Sequence, residues 1–348
     1  MKLMKALVLN AYNEFSYEDI PVPEIADDEV LVKIRAVAIC GSDVHGYDGK
    51  SGRRIPPIVM GHEASGEIVK IGPRVSHYAV GDRVTFDSTV YCGECEYCRK
   101  GMVNLCVNRT ILGVSCNEYR RYGCMAEYCN IPERILYKLP DEVSYETAAL
   151  VEPLSIGFHA VAITPAEIGD TALVIGAGTI GQMVIKVLKA SNAGRIIVSD
   201  PDEFKQQESL KAGADVVLGK GADVAAEVKK LTNGKGADIA FEAVGLDVTV
   251  NTAIASVKKG GAVTLIGNVT PKVSIPLQDI ITRQVTLRGS AASSGEYPRC
   301  LEAIADGRID LSNIISRVAP LSEGANWFDT LHDHGAGLMK VVLVPEEG

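Results

Sequence analysis

The chain has 348 residues, 47% of them apolar and 23% charged, and a formal net charge of −9. That length favours two domains with a core each, and the acidic balance argues against a general nucleic-acid or anionic-membrane surface. The N-terminus runs directly into strand-like alternation with no signal-cleavage pattern, and the most apolar stretch, 147–163, is interrupted by Glu152, Pro153 and His159. A cytoplasmic chain with no membrane span and no nucleic-acid partner is expected.

Short β-branched runs at 29–36, 64–71, 82–86 and 126–130, separated by Gly, Pro and Asp, predict an irregular, mostly antiparallel body over residues 1–155. This part carries Cys40-Gly-Ser42-Asp43-Val-His45, then Gly61-His62-Glu63, then Glu152-Pro153. A thiolate, an imidazole and one or two carboxylates suit a three-ligand zinc site with an open position, which is what catalysis needs. Taken singly, each has a plainer reading: Cys40 as a small buried hydrophobe, His62 as a hydrogen-bonded core histidine, Glu63 and Glu152 as solvated acids. Their weight comes from the other motifs in the chain.

The first of these is Cys92-Gly-Glu-Cys95-Glu-Tyr-Cys98 with Cys106 close behind, in a loop over 92–106. Four thiolates at these intervals can close on one tetrahedral zinc with no position left for water, so this site is expected to hold a loop and not to catalyse. The alternatives are disulfides or idle core thiols.

From about residue 168 the texture changes to apolar strands at 172–175, 195–199, 216–218, 238–243 and 262–266, alternating with helix-length segments. Such alternation predicts an α/β unit with a doubly wound parallel sheet, here over 156–289. After its first strand comes Gly176-Ala-Gly178-Thr179-Ile180-Gly181, followed by a helix-forming run over 182–190, with Asp200 at the end of the next strand. Glycines let the backbone approach a pyrophosphate, the helix N-terminus offers free N–H groups, and an acid at that position binds ribose hydroxyls and repels a 2′-phosphate. NAD is therefore expected over NADP, with Lys205 also at the cofactor; the alternative is a Gly-rich turn in a nucleotide-free domain. The tail, 290–348, should hold one helix (296–306) and a final strand (338–344) that returns to the first domain.

Together these residues resemble the zinc-containing medium-chain alcohol dehydrogenases, and within them the polyol branch that includes sorbitol, galactitol-1-phosphate and threonine dehydrogenases. The pattern G-H-E-x2-G-x5-G-x2-V runs without a gap from Gly61 to Val75, and C-G-S-D-V-H at Cys40–His45 has the polyol form. The resemblance spans nearly the whole chain. It implies a GroES-like catalytic domain interrupted by a Rossmann domain, an active site in the cleft between them, two zinc ions per chain and a homodimer or homotetramer. It also implies Cys40 and His62 as ligands of the catalytic zinc, with Glu63 and Glu152 either ligating or holding its water. Ser42 and His45 would relay the proton as a secondary alcohol becomes a ketone and hydride passes to C4 of the nicotinamide. His77, His159, His332 and His334 match no ligand position.

Substrate identity is where the chain departs from the family pattern. Sorbitol dehydrogenases carry an arginine after the last Rossmann strand, where this chain reads Gly289-Ser-Ala-Ala-Ser-Ser-Gly295. The pairs Arg53-Arg54 and Arg120-Arg121 are instead expected to flank the cleft, where guanidinium forks would suit a phosphate or carboxylate. A small alcohol or its ketone is the expected partner: a polyol, free or phosphorylated, or alternatively threonine or butanediol. A catalytically silent dinucleotide-binding protein is the remote alternative, disfavoured by the complete ligand set.

Overall fold

The computed structural model describes residues 2–116, 119–164, 167–333, 335 and 337–346; His334 lies outside these. The chain divides into two compact units, Met1–Glu152 with Ser294–Gly348, and Pro153–Ser293.

The first unit is built around strand Glu29–Ala38, whose Val30, Val32, Ile34 and Val37 are all buried. It is central in a seven-stranded sheet, antiparallel to Glu63–Ile71 on one side and to Lys340–Val344 on the other, with Tyr128–Pro132 also paired to it. A strand buried on this scale reads as a near-continuous apolar run, as this one does. The register is what matters for chemistry. Ala38 faces Glu63 on one neighbour and Val342 on the other, so the end of this strand gathers Cys40, Glu63 and Lys340. A smaller sheet of Leu3–Ala11, Glu14–Pro21 and Ile58–Val59 shares the core, with Leu7, Leu9, Ile58, Met60 and Phe86 fully enclosed. Burying each such side chain contributes roughly 1.5–3 kcal/mol.

The second unit is a six-stranded, wholly parallel sheet in the spatial order Val216–Leu218, Arg195–Ser199, Thr171–Ile175, Ala237–Glu242, Val257–Leu265, Thr286–Gly289. This is the doubly wound 3-2-1-4-5-6 order, and the fold is α/β as the alternation predicts. Helix Thr179–Ala190 begins three residues earlier than the apolar run suggests, because Thr179 and Ile180 already take helical conformation behind Gly178 as the N-cap.

The tail differs from its expected form. Besides helix Tyr297–Ala305 and strand Lys340–Val344 it holds strand Ile315–Pro320, parallel to Lys340–Val344, and helix Gly324–His332. The second helix hides behind a poor helix former at its start. A Cβ on Gly324 would stand 2.5 Å from Leu7 Cδ2, so close packing, and not helix propensity, selects glycine there.

Candidate active site

The cysteine loop forms the tighter of two ligand clusters. Cys95 and Cys98 have their sulfurs 3.5 Å apart, Cys92 and Cys106 also 3.5 Å, and Cys92 and Cys98 4.0 Å. Four thiolates held at roughly 2.3 Å from one ion in a tetrahedron stand about 3.8 Å apart, so the donor set fits zinc, and these separations are far from a disulfide bond of about 2.05 Å. Backbone N–H groups of Cys98 and Val107 pull the Cys95 thiol down to about 6, which favours the thiolate a metal needs.

The second cluster assembles residues from well-separated places in the chain. Cys40 caps helix Gly41–Tyr47, and its sulfur accepts from Ser42 N at 3.4 Å and Ser42 Oγ at 3.3 Å. His62 and Glu63 follow Gly61, which takes φ +93°; a Cβ there would stand 2.9 Å from both Met125 Cγ and Val37 Cγ2. Donor atoms of Cys40, His62 and Glu63 lie within 4.8 Å of one another. Glu152 lies outside that trio, buried in the first turn of helix Val151–Ile163, and accepts a hydrogen bond from Ser88 Oγ at 2.9 Å. Burial, reinforced by Glu63 and opposed by His62, raises its carboxyl to about 7.

Two cations that the motifs do not mark enter this cluster. Lys340, 2% exposed, places Nζ 3.0 and 2.8 Å from the two oxygens of Glu63 and 3.1 Å from Ile39 O. Burial alone would lower its ammonium; Glu63 and Cys40 outweigh that and hold it above the ordinary value. Arg54, 3% exposed, binds the fully buried Asp43 at 2.7 and 2.9 Å and Ser42 Oγ at 3.2 Å. Asp43 Oδ2 in turn lies 3.5 Å from His62 Nδ1. With Cys40 as thiolate, three anionic groups, Cys40, Asp43 and Glu63, face the two cations, and the Glu152 carboxyl stands beside them. A divalent cation at the Cys40, His62 and Glu63 donors supplies the positive charge the Cys40 thiolate lacks, since burial pushes that thiol up.

The arginine expectation is corrected for two residues. Arg54 is enclosed among Asp43 and Ser42, and Arg121 donates to Glu29 and to Asn130 O at 2.8 Å, so neither is a free fork for a ligand. Arg120 donates to Pro57 O, and Arg53 is exposed. His45 is exposed one helical turn after Ser42. His332 pairs with Asp48 at 3.3 Å and His159 is buried. Asp43 stands inside the C-G-S-D-V-H motif and was open to inspection in the sequence, whereas nothing local to Lys340 signals its role.

In the second unit, Gly176 takes φ +87°, and a Cβ on Gly181 would stand 1.9 Å from Gly176 O, so both glycines are required by the turn itself. A Cβ on Gly178 would meet nothing, which leaves its backbone open to a ligand at the N-terminus of helix Thr179–Ala190. Asp200 accepts from Ala177 N at 2.7 Å through Oδ2 and from Asp202 N at 2.9 Å through Oδ1, which fixes its carboxylate beside the glycine turn. Each oxygen keeps a lone pair for a ribose hydroxyl. Lys205 Nζ lies 3.9 Å from Asp202.

Comparison with known proteins agrees with this chemistry. Residues 26–141 match the alcohol dehydrogenase GroES-like domain and residues 179–306 the zinc-binding dehydrogenase domain. The chain is 34% identical to sorbitol dehydrogenase of Bacillus subtilis, covering 98% of this chain and 97% of that one. It is 34% identical to D-arabitol-phosphate dehydrogenase of Enterococcus avium, covering 99% of each. A zinc-binding dehydrogenase from Sinorhizobium meliloti bound to NADP superposes with a TM-score of 0.90 at 30% identity, over 99% of this chain and 100% of that one. A thiol–imidazole–carboxylate cluster and a doubly wound parallel sheet on one chain, matched over full length, make this protein an NAD(P)-dependent enzyme of the zinc-containing medium-chain alcohol dehydrogenase family, in its polyol branch.

Proposed function

We propose that this enzyme oxidises a secondary alcohol of a polyol, free or phosphorylated, to the ketone with NAD, at a centre formed by Cys40, His62 and Glu63. The convergence of those three donors within 4.8 Å carries the reading. When bound, zinc there supplies the positive charge that acidifies a hydroxyl, and NAD supplies the hydride acceptor. Glu63 keeps its place as a ligand through Lys340, and Glu152, anchored by Ser88 and near enough to His62 and Glu63 to feel their charge, orients a water or hydroxyl. Ser42 Oγ accepts the proton of the reacting hydroxyl and releases its own, its O–H turning from Cys40 Sγ toward His45, which is exposed one turn on and passes the proton to solvent. The four cysteines of the 92–106 loop hold the structural zinc. Residues 1–155 with the return segment 290–348 act as the catalytic domain, and 156–289 bind the dinucleotide through Gly176, Gly178, Thr179, Ile180, Gly181, Asp200 and Lys205.

We further propose self-association as a homodimer or homotetramer. Strand Thr286–Gly289 is an edge of its sheet, and Val269, Ile275, Leu277 and Ile281 in the segment that leads into it are exposed. Light scattering checks this, and a monomer at micromolar concentration would discard it. The test of substrate is NAD reduction with free polyols, their phosphates, threonine and butanediol. Turnover confined to threonine or butanediol moves the reading to that branch, and no turnover on any of them overturns it.

A further inference from the structure

We propose that Arg54 is a positioning residue for the reaction, because its guanidinium fixes Ser42 beside Cys40 and Asp43 behind His62 at the same time. This rests on the reading of Cys40, His62 and Ser42 as the reacting centre. Arg54 Nε and Nη2 reach Asp43 Oδ1 at 2.9 and 2.7 Å, and the same Nη2 reaches Ser42 Oγ at 3.2 Å. Its stem crosses helix Gly41–Tyr47 at Gly46, where a Cβ would stand 2.3 Å from Arg54 Cγ, so the helix gives up a side chain to let it in.

Ser42 shows what that placement does. A hydroxyl has two lone pairs and one proton. Arg54 occupies one lone pair and the O–H points to Cys40 Sγ at 3.3 Å, so a single lone pair is left to accept the proton of an incoming hydroxyl. The acceptor direction of Ser42 is thereby set before substrate arrives. Through Asp43, 3.5 Å from His62 Nδ1, the same guanidinium holds the imidazole from its far side. A lysine could balance the charge of Asp43 but lacks the planar fork that serves two acceptors at once.

The experiment is a double-mutant cycle of Arg54→Lys and Ser42→Ala on the zinc-loaded enzyme, reading kcat, KM and zinc content, together with the visible spectrum of cobalt-substituted protein. Arg54→Lys should lower kcat about tenfold while changing KM less than about threefold, keep two metal ions per chain and shift the cobalt bands. In the Ser42→Ala background the same change should cost kcat no more than about threefold, because there is no hydroxyl left to orient, while the shift of the cobalt bands, which reads the Asp43–His62 arm, should persist. Additive losses, or wild-type kcat in Arg54→Lys, overturn the proposal. If Arg54→Lys does not fold, the paired change Arg54→Gln with Asp43→Asn removes both buried charges, and the same coupling to Ser42→Ala is expected, additivity again overturning it. Wild-type enzyme that holds one zinc, or Cys40→Ser that keeps full activity, overturns the underlying reading of the site and not merely the role of Arg54.

Discussion

The two sulfur-bearing clusters of this protein differ in how far apart in sequence their members lie. The loop cluster takes all its donors from Cys92–Cys106 and sets them within 4.8 Å of one another, three pairs at 3.5–4.0 Å, with backbone N–H groups as support. The other draws Cys40, His62 and Glu63 to the end of one strand and balances them with Arg54 and Lys340, the latter 277 positions from its partner Glu63. A set of four thiolates would close around an ion, while three mixed donors would leave one position on it open. Local spacing can specify the first; only the sheet register can specify the second.

The largest effect that separates them comes from removing one thiolate of each. Cys40→Ser should lower kcat by about a thousandfold, since Lewis-acid stabilisation contributes several kcal/mol, with little change in thermal midpoint. Cys95→Ser should instead lose one metal ion per chain and lower the thermal midpoint, with activity falling only as the protein unfolds. A chelator should likewise abolish activity before it unfolds the chain. Metal analysis, calorimetry and steady-state kinetics on both variants decide it, and a single zinc in wild-type protein breaks the comparison.

That contrast also explains what the sequence shows. The cysteine loop and the glycine turn are contiguous and their residue types have few other uses, so both can be read directly, and the alternation of strand and helix past residue 168 leads to the parallel sheet by the same logic. Arg54 and Lys340 could not be found that way. Charge in a sequence carries no burial, and Arg54 beside Arg53 reads as one of a pair of free forks flanking the cleft until the bare Cα of Gly46 is seen to admit its stem. Lys340 sits in a strand whose neighbour is fixed only when Val342 aligns with Ala38. The helix Gly324–His332 has no clear start in the sequence because its first residue is a glycine, selected for close contact with Leu7.

Next in size is Lys340→Ala, which strands the Glu63 carboxylate in a buried site. Removing one partner of a buried pair costs about 3–5 kcal/mol, and a bound zinc should offset part of it. Urea unfolding of the variant should therefore show a stability deficit of about 3 kcal/mol in chelated protein and a smaller one with zinc. An equal deficit in both conditions would separate Glu63 from the metal.

In the second unit, Asp200→Ala should raise the NADP-to-NAD ratio of kcat/KM by about 30-fold, the equivalent of about 2 kcal/mol for hydrogen bonds to a charged group. The wild-type enzyme must prefer NAD for this to stand. Because Asp200 also accepts from Ala177 N and Asp202 N, KM for NAD should rise in the variant as well. Initial rates with both cofactors read the two effects together.

The smallest effect comes from Glu29, which serves as a control for Glu63. It is another carboxylate of the same sheet with a cationic partner, but its neighbours are Arg121, Asn130 and Ala26 N, and no metal donor is among them. Burial raises its carboxyl, and those three hydrogen bonds outweigh burial to hold it below the ordinary value. A carboxyl depressed in the folded state contributes stability above its unfolded pKa, about 4.3, and loses that contribution as pH falls through the folded value. Glu29→Gln should therefore flatten the decline of the urea midpoint below about pH 5, by the same amount with and without zinc, whereas the deficit of Lys340→Ala should depend on the metal. Parallel declines in wild type and Glu29→Gln would show that the Arg121 pair adds nothing to the folded state. A zinc-dependent difference would show that the two carboxylates are coupled through strand Glu29–Ala38.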